Sequence, residues 1–592
     1  MIDRLALAPN PQFARDSRVD LCGEWSFGFD DEDVGRAERW FIDGEKLEST
    51  ITVPYPPESK LSGIADTSFH PVCWYARSFA DPRTVDNGRL ILHFGAVDYA
   101  ATVWVDGVEI GGHEGGQTPF SLDATDALEA DRQEHLIVVR AFDDPLDVEQ
   151  PRGKQDWLEN PHSIFYHRTT GIWQPVWFEV TPERRILSVR WRFDRARWHV
   201  DFEVELSSRS SSDATLTIEL DREGQLVAQA TVMADERVAT GQIRIGQANS
   251  AVNRHSLLWS PSQPTLLGAT ITLSESGSAD DQVLSYVGLR TVETAGRRIL
   301  INGSPVFLRF VLEQGYWPES HLASPSANAL EREVDLIKEL GFNGARIHQK
   351  VEDPRLLFWA DRKGLLLWGE AANAFTFSDR AIQRHASEWR EAVLRDRNHP
   401  SIIAWVPFNE SWGISEVGAS TEQQQAVKAA YPRTHQLDGT RPVIGNDGWE
   451  NVIGDLLTLH DYSWESDILR QRYSTEAGFE NTLRDYFPGS RRVVIGDYNP
   501  ADKPVLVTEF GGVSYAPESG EEWFGYGTVQ SEDEFIGRYR DLCNALHESE
   551  LLAGFCYTQL TDTEQETNGL LTEDRQPKAA IEKLREITSG EA

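Results

Sequence analysis

Two glutamates carry the chemistry that can be read first. Glu410 sits in NHPSIIAWVPFNESWG (398–413), where an apolar, β-branched run from Ile402 to Val406 ends in Pro407 and leads into Asn409 and Glu410. Ninety-nine positions later KPVLVTEFGG repeats the arrangement, with the run Pro504 to Val507 ending in Thr508 and Glu509. A continuous hydrophobic run is the mark of a parallel strand buried on both faces. Polar residues just past the C-terminal ends of such strands are where a (β/α)₈ barrel places its reactive groups. Two carboxyl groups opening into one mouth are the minimum equipment for cleaving a glycosidic bond. One, protonated, donates to the leaving oxygen; the other, ionised, attacks or supports the anomeric carbon of an oxocarbenium-like transition state.

Such a pair must be positioned, and 592 residues exceed what one core organises, so about three domains are expected. Residues 1–182 read as all-β. LCGEWSFGFD, WYARSFA, GRLILHFGAV, ATVWVDGVEI, HLIVVRAF and QPVWFEVT are short alternating or apolar runs separated by Gly, Pro and Asp turns. Asp106-Gly107 is a two-residue hairpin signal. The pattern predicts a jelly-roll β-sandwich. Its long loops, GGHEGGQTPFSLD and PRGKQDWLENPHSIFYHRTTGIW, are the kind that carry function. Residues 183–292 hold about seven strand runs and predict an immunoglobulin-like sandwich without the Cys…Trp…Cys signature. From 293 to 592 the period changes to strand-then-helix. Eight apolar strand candidates follow: PVFLRFV, FNGARI, GLLLWGE, SIIAWVPF, RPVIGN, DLLTLH, PVLVTEF and AGFCYTQ. Ser326 as N-cap, Leu330, Val334 and Ile337 at helical spacing, and Gly341 as terminator predict one of the intervening helices. The expected architecture is therefore sandwich, sandwich, TIM barrel.

Composition excludes several classes. A net charge of −37 argues against nucleic acid and against an anionic membrane surface, since both need basic patches. Four cysteines show no metal-ligand spacing and no disulfide framework. The N-terminus lacks the pattern of a secretory signal, and no apolar run is long enough to span a bilayer. A cytoplasmic enzyme is the expectation, and a homo-oligomer is compatible with it. Nineteen tryptophans suit the C–H faces of sugars and serve equally as core filler.

The domain order, WYARSF, HFGAVDYAATVWVDG and RTTGIWQPVWFE in the first domain, NGSPVFLRFVLEQGYWP and GFNGARIH at the start of the barrel, and above all WVPFNESWG with VTEFGG, resemble glycoside hydrolase family 2. The resemblance covers nearly the whole chain. It implies that Glu410 is the acid/base and Glu509 the nucleophile of a retaining mechanism, which requires carboxyl groups about 5–5.5 Å apart. It implies that Asn409 binds the sugar 2-hydroxyl and that Arg346 and His348 (GARIHQK) stand near the nucleophile. His460 and Tyr462 (LTLHDYSW) follow the strand after which the family places a tyrosine touching the nucleophile. Trp412, Trp317, Tyr557 and Gln559 are candidates for the pocket wall. Asp98 (GAVDYAA) matches a sandwich loop that reaches the barrel mouth in some members, with a plain β-turn aspartate as the alternative.

Two departures bear on substrate. Glucuronidases of the family carry Asn-x-Lys after the eighth strand, with lysine meeting the substrate carboxylate; here the stretch is Glu566-Thr567-Asn568. The missing lysine and the added carboxylate favour a neutral sugar, and β-galactosidase is the leading expectation. β-Glucuronidase and arabinosidase or galactofuranosidase activity follow. The metal-binding cluster of the largest β-galactosidases is not evident around Glu370, so no metal and no cofactor is expected in catalysis. A non-hydrolytic carbohydrate-binding protein is the reading from a different class, and the intact glutamate pair weighs against it.

Overall fold

The computed structural model describes residues 2–591 apart from 85–87, 211–212, 247–253, 278 and 516–525. The first domain is a sandwich of a six-stranded and a four-stranded antiparallel sheet around a core that includes Trp25, Tyr75, Phe94, Val139 and Phe178. Its hairpin Ala100–Val105 to Val108–Glu114 turns at Asp106 and Gly107, both at positive φ (48° and 79°), as a type I′ turn requires. The second domain packs a three-stranded against a four-stranded sheet, the strand number of the simplest immunoglobulin-like sandwich.

The third domain is the barrel. Seven parallel strands pair in the spatial order Ile402–Val406, Leu366–Glu370, Gly344–Ile347, Leu308–Glu313, Leu552–Thr558, Val505–Gly511 and Leu457–Asp461. Every residue of Ile402–Val406 and Val505–Gly511 is buried, which is why both read as unbroken apolar runs. RPVIGN, expected as a fifth strand, forms no ladder. It touches the fourth through Trp405, whose N–H donates to the Pro442 carbonyl (3.1 Å) and whose carbonyl accepts from Ile444 (2.9 Å). Pro442 has no N–H to give. Gly445 then passes so close to the Ile453 carbonyl that a Cβ would lie 2.2 Å from it. The sheet curls closed across this segment instead of by a full ladder.

Helices between the strands start where side chains can cap them. Ser326 accepts from Ala329 N ahead of Ala327–Glu339, and Leu330, Val334 and Ile337 of that helix are buried. Each such buried side chain contributes roughly 1.5–3 kcal/mol. Among the described residues no helix is long and apolar enough to cross a membrane, and the four cysteines are unpaired.

A loop from the first sandwich completes the mouth of the barrel. After the strand His135–Phe142 the chain leaves the sandwich and returns only at Gly171. Gly153, at φ 61°, donates its N–H to the Asn373 carbonyl (3.0 Å), and a Cβ there would lie 2.1 Å from the Gln349 carbonyl. Only glycine permits this approach. It sets the next residue, Lys154, at the barrel mouth.

Candidate active site

Glu509 projects from the strand Val505–Gly511, and Glu410 lies four residues past the end of Ile402–Val406. Glu410 and Ser411 both take left-handed backbone conformations (φ 50° and 60°). Such positions cost a non-glycine residue about 1–3 kcal/mol and persist only where surroundings enforce them. Here Glu410 N donates to the Asp447 carbonyl (3.0 Å), Ser411 N to Asn446 Oδ1 (3.1 Å) and Ser411 Oγ to Glu450 Oε2 (2.7 Å). One oxygen of Glu410, one of Glu509 and one nitrogen of His460 all lie within 4.8 Å of one another. That spacing suits two groups addressing one anomeric carbon and leaves no room for the extra water of an inverting mechanism.

The two carboxyl groups have opposite environments. Burial pushes the Glu410 pKa up, and the charge of Glu509 pushes it further, against the pull of His460. Burial would raise Glu509 too, but the charges of His460 and Arg346 together with the Tyr462 hydroxyl hold it down at about 2. The two shifts run in opposite directions, up for Glu410 and down for Glu509, the separation a general acid and a nucleophile need.

Arg346 organises the floor of the site. Fully buried, its guanidinium donates to Glu509 Oε1 (2.7 Å), Glu370 Oε2 (2.8 Å) and Asn409 Oδ1 (2.5 Å) and stands 3.0 Å from Asp447 Oδ2. Asn409 thereby commits its oxygen, while its Nδ2 is buried with no partner among the described residues, a free donor for a hydroxyl. His348 Nδ1 bonds Glu370 Oε1 (2.8 Å); burial, then the charge of Arg346, keep it neutral. His460 Nδ1 bonds Glu410 Oε1 (2.6 Å), and its Nε2 faces Asp447 and Glu509 at 3.4 Å. Burial alone would lower the His460 pKa, but Glu509, Asp447 and Glu410 outweigh it and raise it to about 10. As an imidazolium it donates from both ring nitrogens and bridges these carboxyl groups. Tyr462 donates to Glu509 Oε2 (2.5 Å), and its ring stacks on Tyr526 at 3.3 Å.

The sandwich loop supplies the opposite wall. The Lys154 ammonium lies 3.6 Å from Glu566 Oε2 and over the rings of Tyr166 and Trp412, 5.2 and 5.9 Å from their centroids. Tyr166 donates a short hydrogen bond to the same Glu566 oxygen. Trp412 packs beside Phe165 and Phe375, 5.3 and 5.9 Å between ring centres. Asp98 does not join the glutamate pair: its carboxylate accepts from Gln155 Nε2 (2.9 Å), so it braces the loop beside Lys154. Trp317 lies under the Arg575 guanidinium, and Gln559 is tied to Gln314 and Asn568.

Asp447, Glu370 as an Arg346 partner, Tyr526 and Lys154 were not singled out from sequence. Asp447 had a usable signal, since it follows RPVIGN at the same offset past a strand candidate as other site residues. Lys154 had none beyond membership of a long loop.

The charges make stability depend on pH. The folded pKa of His460 is raised from 6.5 to about 10, so its contribution is complete below pH 6.5 and lost as pH rises towards 10. Glu509, depressed from 4.5 to about 2, contributes above pH 4.5 and loses that contribution as pH falls towards 2. The melting temperature is therefore expected to fall across the alkaline window and to do so less steeply in His460→Gln. Equal slopes in differential scanning fluorimetry would contradict the assignment.

Comparison with known proteins places these features in context. The family model for the glycosyl hydrolases family 2 TIM barrel domain matches residues 292–590, that for the family 2 sugar binding domain matches 19–176, and a third, glycosyl hydrolases family 2, matches 185–290. A β-glucuronidase of Canis lupus familiaris is 26% identical, over 98% of this chain and 93% of its own. A β-galactosidase of Thermoanaerobacter pseudethanolicus is 27% identical over 70% of this chain and 54% of its own. Among solved structures, a β-glucuronidase from Ruminococcus gnavus in complex with D-glucuronic acid superposes with a TM-score of 0.79 at 20% identity, covering 97% of this chain and 98% of that one.

Proposed function

The chain belongs to glycosyl hydrolase family 2, and from that premise we propose that it is a retaining exo-β-glycosidase acting on terminal β-uronides of the glucuronide type. The observation that carries the retaining mechanism is the approach of Glu410 and Glu509 within 4.8 Å in environments that split their protonation. Glu410 donates its proton to the glycosidic oxygen as Glu509 attacks the anomeric carbon, giving a covalent glycosyl-enzyme and releasing the aglycone. Glu410, now a carboxylate, takes a proton from water, and the hydroxide equivalent displaces Glu509 with a second inversion, so that configuration is retained overall. Asn409 Nδ2 is the free donor for a sugar hydroxyl. Tyr462 and Arg346 hold the Glu509 oxygens and keep the carboxylate ionised between turnovers.

The expectation of a neutral galactoside gives way here. The curated relatives are mostly β-glucuronidases, and the β-galactosidase among them matches over little more than half its length. The argument against a uronate rested on Glu566 and the absence of a lysine. Burial raises the Glu566 pKa, and Lys154 stands beside it, so the carboxyl is not an isolated negative charge. Lys154 is buried, has no carboxylate nearer than 3.6 Å among the described residues, and reaches the mouth from the sandwich. We assign it the role that the missing lysine of Asn-x-Lys fills elsewhere in the family.

A panel of p-nitrophenyl glycosides tests the sugar: β-glucuronide, β-galactoside, β-mannoside, α-arabinosides and β-galactofuranoside. The β-glucuronide is expected to give the highest kcat/KM. Lys154→Met should lower that value by about 10- to 100-fold, the worth of a charge-assisted hydrogen bond, and leave slow turnover of neutral glycosides unchanged. A clear preference for β-galactoside, unaffected by Lys154→Met, would overturn the uronide reading and leave the retaining mechanism standing.

A further inference from the structure

Away from the glutamate pair, three potential ligands converge where the sandwich loop meets the barrel. His167 belongs to the loop that carries Lys154 and Tyr166, His321 follows the first barrel strand, Leu308–Glu313, and Glu564 follows the last, Leu552–Thr558. One nitrogen of each histidine and one carboxylate oxygen lie within 4.8 Å of one another. We propose that His167, His321 and Glu564 form a binding site for a divalent transition-metal ion of the zinc type, clipping the sandwich loop to the barrel.

His321 Nε2 lies 3.2 Å from the Glu58 carbonyl, which can only accept, so the Nε2 carries the proton and Nδ1 of the neutral ring is bare. Its Nδ1 faces Glu564 Oε1 at 3.9 Å, so in that neutral tautomer two lone pairs are set towards each other. A cation bound at about 2.0–2.2 Å from each would resolve the opposition. The third corner is His167 Nδ1, 2.9 Å from the same Glu564 oxygen. Ion binding there displaces the proton His167 shares with Glu564 and releases it to solvent.

The surroundings are those of a built site. The His167 backbone N–H donates to both Glu564 oxygens (3.1 Å each), which fixes the carboxylate. A turn in which the backbones of Trp317 and His321 bond each other at 2.9 and 2.8 Å fixes His321. The histidine–carbonyl bond to Glu58 is the outer partner that orients a metal-ligating imidazole. Glu58, Asp156 and Glu573 add negative potential, opposed by Lys60. Two imidazoles and one carboxylate select zinc-like ions over magnesium, and three ligands leave one position for water.

The test uses the full-length protein stripped with EDTA and titrated with Zn²⁺ by calorimetry and with Co²⁺ by visible absorption. One equivalent should bind, raise the melting temperature and give cobalt d–d bands. His321→Gln and Glu564→Gln should each weaken binding at least about 10-fold. Their metal-free melting temperatures should stay close to that of the unsubstituted chain. Absence of stoichiometric uptake by the unsubstituted protein would overturn the site, and so would equal affinity in the two variants. If one variant does not fold, the other makes the same discrimination.

Discussion

Glu509→Gln is expected to lower kcat by at least about 10³-fold on every glycoside, whatever its leaving group, because the amide cannot form the covalent bond to the anomeric carbon. Glu410→Gln should behave differently. The proton that Glu410 supplies matters in proportion to the basicity of the leaving oxygen. An alkyl glycoside should lose about 10²- to 10⁴-fold, whereas a p-nitrophenyl glycoside, whose leaving group departs without help, should lose much less in the first step and then accumulate glycosyl-enzyme. This difference separates the two roles, which a common loss of activity would not. The pH profile carries the same signature. Activity should decline on the alkaline side as Glu410, its pKa raised by burial and by Glu509, gives up its proton, while the acidic limb, set by Glu509, should lie near pH 2 in kcat/KM unless unfolding intervenes first. Both variants should keep the melting behaviour of the parent to within a few degrees. Near-normal turnover in either would remove that residue from its role.

Arg346→Met should cost the most stability of any single change in the barrel floor. The guanidinium is fully buried and is the shared partner of Glu370, Asp447, Glu509 and Asn409. Removing one side of a buried ion pair destabilises by about 3–5 kcal/mol, since the remaining charge has neither water nor partner. Here three carboxylates are left at once. Methionine keeps the apolar stem of the side chain and removes the charge. Urea denaturation at neutral pH should show the deficit, and it should shrink in Arg346→Met/Glu370→Gln, because burial already raises Glu370 to about 7 and its neutral form needs no cation. An undiminished midpoint in the single variant would mean that these carboxyls do not depend on Arg346.

The glutamate pair was legible because two physical requirements coincide in one place. A parallel barrel strand must be apolar throughout, and the first polar residues beyond it must face the mouth, so the apolar runs before Glu410 and Glu509 mark both the fold and the position of the reactive groups. Arg346, His348, His460 and Tyr462 came from the resemblance to the family rather than from the pattern of runs, and the structure brings them together with the pair. The fifth strand was overread: RPVIGN has the composition of a strand, but with Pro442 and the close passage of Gly445 it makes only two isolated bridges, to Trp405 and to Gly454. Lys154 and the contact between Tyr166 and Glu566, 400 residues apart in sequence, left no periodic trace, because they depend on how one domain's loop is seated on another. The inference drawn from Glu566 left out that partner for the same reason. A carboxyl read alone looks like a repulsive charge, and its buried ammonium neighbour arrives from a different domain.

The central claim is that Glu410 and Glu509 act on one anomeric carbon by two successive displacements. Proton NMR of the first sugar released from a β-glycoside the enzyme turns over tests it directly, since the anomers are resolved before they mutarotate. The account predicts that the β-anomer appears first and the α-anomer grows in later; initial release of the α-anomer would contradict it.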